Sequence, residues 1–238
     1  MRYGIIGAGA IGGFYGAKLA RAGQEVHFLL RSDYEYVKQH GLQVDSCDGS
    51  FHLTDVNAYL STEDMPKCDV VLVCLKSVNN GKLQTLLPPL LHDKAASKRE
   101  QSDARIDSAE REQARPKVKT LVVLIQNGIG VEEDVQKMFP DVQLAAGLAF
   151  ICSAKTEPGV VNHQCYGSIN LANYSCKDDM TDNMTPYSPS MRQDYDFHRR
   201  MEIYYLYTRP LEIAREAGCP MLKLEMLEAE LRFLEEIR

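Results

Sequence analysis

The sequence predicts an α/β fold, namely a Rossmann-like, doubly wound parallel sheet followed by a shortened all-helical C-terminal domain. Apolar runs of strand length alternate with stretches of helical spacing, which is typical of a parallel sheet with helices on both faces. The first apolar run, residues 2–6, leads directly into a GxGxxG motif and then a helical stretch. Two helical patterns, at residues 201–217 and 221–238, close the chain.

The glycine motif is placed where a first strand would turn into a first helix. Its six residues are Gly7, Ala8, Gly9, Ala10, Ile11 and Gly12. In such a motif the first glycine permits a tight turn, the second lets the backbone approach a pyrophosphate, and the third lets helix and strand pack closely. The N–H groups at the helix N-terminus bind phosphate. The motif therefore predicts a dinucleotide site, the alternative being a glycine turn that serves packing alone.

The end of the second predicted strand, residues 25–30, indicates which dinucleotide is bound. NAD sites usually carry Asp or Glu there, to hold the ribose 2′-hydroxyl. This chain has Arg31, followed by Ser32. A guanidinium can hold a 2′-phosphate with two hydrogen bonds. We therefore predict NADP(H) as cofactor. The alternative is that Arg31 is a solvated arginine at a strand end.

The remaining elements follow from hydrophobic pattern and from glycine and proline positions. Beyond the first two strands, buried strands are predicted at residues 68–75, 120–125 and 143–151, with short polar–apolar alternation at 41–53. The first helix is expected to stop near Gly23. Further helices are predicted at residues 34–40, 78–91, 132–138, 201–217 and 221–238.

Composition divides the chain into an N-terminal dinucleotide-binding domain, residues 1–174, a polar linker, 175–189, and a truncated helical domain, 190–238. Residues 93–119 are dense in charge and poor in large aliphatic side chains, which predicts an exposed helical extension or a disordered insertion. In the last helix a leucine stripe predicts core packing or a helix–helix interface; its members are Leu224, Leu227, Leu231 and Leu234.

Charge and composition exclude several partners. A net charge of −6 argues against nucleic acid and anionic membranes as partners. No apolar run approaches the roughly 20 residues of a membrane span, and no signal-peptide pattern precedes the first strand, so we expect a cytoplasmic protein. The seven cysteines form no CxxC pair and are expected to be mostly reduced core residues. His163 and Cys165 are too sparse for zinc, so no metal site is predicted.

Several motifs together resemble the ketopantoate reductase (2-dehydropantoate 2-reductase) family, which reduces ketopantoate to pantoate with NADPH on the route to pantothenate. The resemblance covers residues 1–173 and returns in short pieces beyond them. It rests on the glycine motif, Arg31, Leu75-Lys76, QNGIG at 126–130, KTEPGVV at 155–161, SMRQD at 190–194, MEIY at 201–204 and AGCP at 217–220.

The resemblance implies roles for five further positions. Lys76 would contact the cofactor, and Asn127 would lie between nicotinamide ribose and substrate. Ser153 would be a small cofactor-contacting residue. Ser190 would hold the substrate carboxylate, and Glu202 would lie near both nicotinamide and substrate. Other interpretations stay open: Asn127 as a turn former, Ser190 as a helix N-cap and Glu202 as an exposed helix-surface carboxylate.

The chain also departs from the family pattern. The family's catalytic lysine lies on a helical segment for which residues 172–187 leave too little room, and Lys177 does not match its motif. Tyr204 replaces an acidic residue, and Tyr207-Thr208 replaces Asn-Gly. The catalytic acid is thus unknown. Apolar surface left by missing helices would be covered by a second copy, giving a homodimer, or by the first domain.

The sequence therefore predicts NADPH-dependent reduction of a small branched 2-keto acid. Three alternatives stay open. The chain could be a catalytically silent NADP(H)-binding protein, a truncated product that cannot complete its fold, or an enzyme for another 2-keto acid.

Overall fold

The computed structural model describes residues 1–92, 120–174, 194, 198–219 and 221–237. The predicted charged insertion and linker lie outside these residues. The strands are β1 Arg2–Ile6, β2 Glu25–Leu29, β3 Leu42–Ser46, β4 Phe51–Leu53, β5 Asn57–Tyr59, β6 Val70–Val73, β7 Leu121–Leu124, β8 Gln143–Glu157 and β9 Val160–Asn173. The α-helices are α1 Ala10–Arg21, α2 Tyr34–His40, α3 Leu83–Leu86, α4 Val131–Met138, α5 Arg209–Glu216 and α6 Leu222–Glu236.

Six strands form a parallel sheet in the order β5-β2-β1-β6-β7-β8. Numbered along the chain, this is the 3-2-1-4-5-6 order of dinucleotide-binding folds. The order reverses between β1 and β6, and ligands bind beyond the carboxyl ends of the strands at such a switch point. The predicted Rossmann-like fold class is confirmed.

The sheet continues past β8 with β9, β3 and β4. The alternation predicted at 41–53 contains β3 and β4, whereas no strand was predicted at β9 or at β5. β8 and β9 form a long antiparallel hairpin, β9 pairs in parallel with β3, and β3 pairs with β4 in antiparallel register. The strand predicted at 143–151 therefore runs six residues further, to Glu157. Polar residues and three register shifts along the hairpin hide the strand pattern.

The core occupies both faces of the sheet, because side chains alternate along each strand. Ile5 belongs to the cluster under α1, together with Phe14 and Phe28. Its neighbour Ile6 belongs to the opposite cluster, which includes Leu83. Helix α1 ends at Arg21, and Gly23 follows its C-cap Ala22 as the predicted stop. The Gly23 N–H donates to the Ala20 carbonyl, and the Gln24 N–H donates to the Leu19 carbonyl.

The single helix predicted at residues 78–91 is wrong. A 3₁₀ helix spans Ser77–Lys82, α3 covers only Leu83–Leu86, and a second 3₁₀ turn spans Pro88–Leu90. Pro88 and Pro89 have no N–H groups, so an α-helix cannot propagate regularly through them.

The helices near the C-terminus also differ from the prediction. A π-helical turn, Tyr204–Thr208, precedes α5, so residues 201–217 do not form one regular helix. The leucine stripe of α6 is half-buried rather than a core element, since Leu227 is 40% exposed and α6 contains no fully buried residue in the part described. Among the described residues, no helix combines the length and apolar character that crossing a bilayer requires.

We expect the short α3 to contribute strongly to stability. Leu83 has no exposed surface, so Leu83→Ala should lower the free energy of unfolding by about 2–5 kcal/mol through lost contacts and a cavity. The matched control Leu60→Ala, at a leucine that is 59% exposed, should change it by less than about 0.5 kcal/mol. Urea denaturation measures both, and equal losses would contradict this packing.

Candidate active site

The glycine loop joins β1 to α1 in a space that admits no side chains at two of its positions. Gly7 has φ +95°, and a Cβ there would lie 2.7 Å from the backbone nitrogen of Leu75. A Cβ on Gly12 would lie 2.4 Å from the Gly7 carbonyl oxygen. Gly9 differs, because a Cβ there would meet no protein atom within 4 Å. The loop is therefore closed towards the sheet and open at Gly9, where a pyrophosphate would approach.

The N-terminus of α1 opens onto the same space. Gly9 is its N-cap, no side chain caps the helix, and the first turn contains no acidic residue. Ala8, Ala10 and Ile11 are partly exposed along this loop. Free N–H groups and the positive end of the helix dipole suit phosphate oxygens. The Ser153 hydroxyl donates to the Ala10 carbonyl at 3.4 Å, so this part of β8 lies beside the loop. The cofactor contact of Ser153 stays a prediction.

Arg31 follows β2 at the same edge of the sheet, because β1 and β2 are parallel neighbours. The side chain is exposed and forms no hydrogen bond or ion pair with any residue in the described ranges. An unpaired guanidinium beside an anion-binding loop can accept a phosphate without losing another partner. This arrangement fits NADP(H).

Lys76 and Asn127 stand beyond the carboxyl ends of β6 and β7, which are also parallel neighbours. The Lys76 ammonium pairs with the carboxylate of Asp194, a residue that is completely buried. Arg199 also donates to Asp194, at 3.1 Å. Asp194 closes the SMRQD motif, but no role for it was predicted from the sequence. The buried carboxylate holds Lys76 at the edge of the sheet.

Glu202 is 3% exposed and lies against the same strand ends. One carboxylate oxygen accepts from the backbone N–H of Ser77 at 3.0 Å and from its hydroxyl at 2.8 Å. The other accepts from the Asn127 amide at 3.4 Å. Glu202 is therefore not an exposed helix-surface carboxylate. Sequence reasoning missed Ser77, although its place after a buried strand and Lys76 was a usable signal.

The turn that carries Asn127 is held by a residue from the C-terminal part of the chain. A Cβ on Gly128 would lie 2.3 Å from that of Tyr205, and the Ile129 N–H donates to the Tyr205 carbonyl at 3.1 Å. The Tyr205 hydroxyl donates to Asp134 at 2.9 Å. Burial, helped by this carboxylate, raises the pKa of Tyr205 to about 12, so the hydroxyl stays a donor at neutral pH.

Two family models match this chain, and together they cover nearly all of it. The model described as ketopantoate reductase PanE/ApbA matches residues 3–97 and 101–175. The model of the C-terminal part of the same enzymes matches residues 161–235. The chain belongs to the ketopantoate reductase family.

Individual family members and structures agree with this assignment. A 2-dehydropantoate 2-reductase of Nostoc sp. is 44% identical over 174 residues, which cover 73% of this chain and 47% of that protein. The crystal structure of 2-dehydropantoate 2-reductase from Geobacter metallireducens superposes with a TM-score of 0.78 at 25% identity, covering 99% of both chains. A ternary structure of D-mandelate dehydrogenase with NADH and anilino(oxo)acetate shares the fold, with a TM-score of 0.77 at 16% identity and coverage of 99% and 98%. This chain spans about half the length of the curated relatives that it matches.

Ser190 and Lys177, which the sequence analysis considered for substrate binding and catalysis, lie outside the described residues. The role of Ser190 in holding a substrate carboxylate stays a prediction. So does its alternative role as a helix N-cap.

One group in the described part of the chain brings metal-ligand types together. The ligand atoms of Cys47, Asp48 and His163 all lie within 4.8 Å of one another. The His163 Nδ1 already lies 2.8 Å from the Ser46 hydroxyl, so this ring nitrogen has a partner. The His163 Nε2 lies 2.9 Å from the Tyr166 carbonyl, so both ring nitrogens have partners within the protein.

Two substitutions in the glycine loop should affect stability and cofactor binding differently. Gly12→Ala places a Cβ against the Gly7 carbonyl and should lower the free energy of unfolding by about 1–3 kcal/mol. Gly9→Ala meets open space, so it should leave stability within about 0.5 kcal/mol while weakening dinucleotide binding. Thermal melts and fluorescence titration with NADPH separate the two effects. Strong destabilisation by Gly9→Ala would contradict this loop geometry.

Proposed function

We propose that this chain binds NADP(H) and reduces 2-dehydropantoate, or ketopantoate, to pantoate in pantothenate biosynthesis. The observation that carries the proposal is the convergence of Lys76, Asn127 and Glu202 at one sheet edge beside the glycine loop. Family membership supports the same reaction, because a relative at 44% identity is named 2-dehydropantoate 2-reductase. The proposed partners are a small 2-keto acid and, for the assembly, a second copy of the chain; the proposed location is the cytoplasm.

The cofactor would lie across the switch point between β1 and β6. Its pyrophosphate would contact the loop from Gly7 to Gly12, with Ser153 beside it. Its 2′-phosphate would contact Arg31, which has no competing partner among the described residues. Its nicotinamide end would lie near Lys76 and Asn127.

Bound NADPH would supply the hydride for the keto carbon. The protein residues orient the reactants: Glu202 accepts from the Asn127 amide and from Ser77, which fixes the polar groups at the ends of β6 and β7. Lys76, held by Asp194, contributes a positive charge at this edge. Ser190 is proposed to bind the substrate carboxylate.

The alkoxide formed at the keto carbon needs a proton donor or cation within hydrogen-bond reach. The family's lysine motif is not found between the hairpin and SMRQD in this sequence. Lys177→Ala is therefore the first variant to make if turnover is found. General acid catalysis typically contributes 10²–10⁴-fold, so a loss of kcat of that size with unchanged NADPH binding supports Lys177 as the donor.

A second candidate function is NADP(H) binding without turnover. It is favoured by the short interval at residues 172–187. The residues proposed to bind the cofactor are present in this chain, whereas the catalytic acid is not assigned. Both functions thus predict saturable NADPH binding, and they differ only in catalysis.

NADPH oxidation by the purified, folded protein with ketopantoate decides between these functions. Turnover that saturates with ketopantoate supports the reductase, and a panel of other 2-keto acids then establishes substrate preference. Saturable NADPH binding without turnover of any 2-keto acid contradicts the reductase and supports the binding protein. Protease resistance of the C-terminal helices tests the truncated-product alternative. Sedimentation velocity tests the homodimer.

Reversing the charge at Arg31 should change cofactor preference. Arg31→Asp removes a charge-assisted contact worth about 1.5–3 kcal/mol and adds repulsion, so NADPH should bind on the order of 10- to 150-fold more weakly. NADH has no 2′-phosphate and should lose far less. Fluorescence titration with both cofactors measures the change. Lys137→Asp, at an exposed lysine on α4, is the control. Equal losses for the two cofactors in Arg31→Asp would contradict the NADP(H) assignment.

A further inference from the structure

The turn after β2 contains a carboxylate close to the arginine proposed for the 2′-phosphate. Asp33 lies two residues beyond Arg31 and its side chain is 7% exposed. A carboxylate at the end of β2 is the feature by which NAD sites hold the ribose diol, and it repels a 2′-phosphate. Left uncompensated, Asp33 would also attract the Arg31 guanidinium. The turn therefore needs a positive charge that satisfies Asp33 without using Arg31.

Lys155 supplies that charge from the far end of β8. Its ammonium lies 2.5 Å from one Asp33 oxygen, which also accepts from the Gly159 N–H at 3.2 Å. The Ser32 hydroxyl donates to the other oxygen at 3.0 Å. Asp33 makes no capping hydrogen bond to α2, so its carboxylate serves this network. Burial alone would raise the pKa of Asp33, but the contacts from Lys155, Gly159 and Ser32 outweigh it and hold the pKa below the usual value.

The turn of the β8–β9 hairpin is closely fitted to this region, which keeps Lys155 in place. A Cβ on Gly159 would lie 2.7 Å from the Tyr36 ring of α2, and the Gln43 N–H donates to the Gly159 carbonyl at 2.8 Å. The geometry is thus set by backbone contacts as well as by the ion pair. Arg31, by contrast, has no partner in the described part of the chain.

We propose that Lys155 is a specificity-determining positioning residue, which neutralises Asp33 and so leaves Arg31 free for the 2′-phosphate of NADP(H). With Lys155, the three side chains carry a net charge of +1; without it, they are neutral and Asp33 competes with phosphate for Arg31. The inference rests on the proposed preference for NADPH. It assigns a role to a residue of the KTEPGVV stretch that the proposed reaction does not otherwise use.

The test compares dissociation constants for NADPH and NADH, by fluorescence titration of the full chain, in wild type and variants. Lys155→Met keeps side-chain length and removes the charge. It should weaken NADPH binding about tenfold, equivalent to ~1.4 kcal/mol, and NADH binding less than about twofold, because NADH carries no 2′-phosphate. Adding Asp33→Asn to Lys155→Met removes the competing carboxylate and should restore the NADPH constant to within about twofold of wild type.

Two further variants keep the test decisive. Lys155→Arg preserves the charge and should retain the NADPH preference, whereas Lys137→Met removes an equally charged but exposed lysine and should change neither constant. If Lys155→Met alone does not fold, as judged by circular dichroism, the double variant and Lys155→Arg carry the comparison.

The outcomes separate this inference from the proposed function. Suppose that the wild type prefers NADPH, that Lys155→Met weakens binding of both cofactors equally, and that the double variant recovers nothing. Lys155 then only anchors the hairpin, and the inference alone is overturned. An unchanged dissociation constant for NADPH in Lys155→Met also overturns the inference alone. A wild type that binds NADH as tightly as NADPH overturns the proposed NADPH preference and the inference together.

Discussion

The candidate site depends on the hydrogen bonds that the buried carboxylate of Glu202 accepts. A buried carboxylate is costly unless its oxygens receive hydrogen bonds, and here the donors come from Ser77 and Asn127 on the other part of the chain. The segment before α5 is therefore tied to the ends of β6 and β7. Tyr205 strengthens the same attachment through Gly128, Ile129 and Asp134. Without these contacts, the residues after β6 and β7 and the segment before α5 would not form one site.

Ion pairing organises the carboxyl edge of the sheet in the same way. Beyond the end of β6, buried Asp194 holds Lys76. Beyond the end of β2, buried Asp33 is held by Lys155. In each pair the acid is buried and the lysine is about one third exposed, so the carboxylate charge is satisfied inside the protein.

The residues proposed to bind the nucleotide could be selected from the sequence because their patterns are local. The glycine spacing from Gly7 to Gly12 and the place of Arg31 after a strand follow from strand–turn–helix rules alone. Family resemblance pointed to Lys76 and Asn127, and their places after buried strands agree with it, since the carboxyl ends of parallel strands share an edge. Family resemblance pointed to Glu202, but its burial was not visible in the sequence, where the helical pattern also allowed an exposed carboxylate.

The sequence by itself determined five of the six parallel strands (all but β5), the spacing of the glycine loop and the family, because each depends on short-range patterns of apolar, glycine and polar residues. Only the tertiary structure decided the β8–β9 hairpin, the broken helix around Pro88 and the pairs Lys76–Asp194 and Lys155–Asp33. The members of the two ion pairs are separated by more than 100 residues along the chain. Pairing at that distance depends on how the strands pack, and side-chain charge alone does not specify which lysine meets which carboxylate.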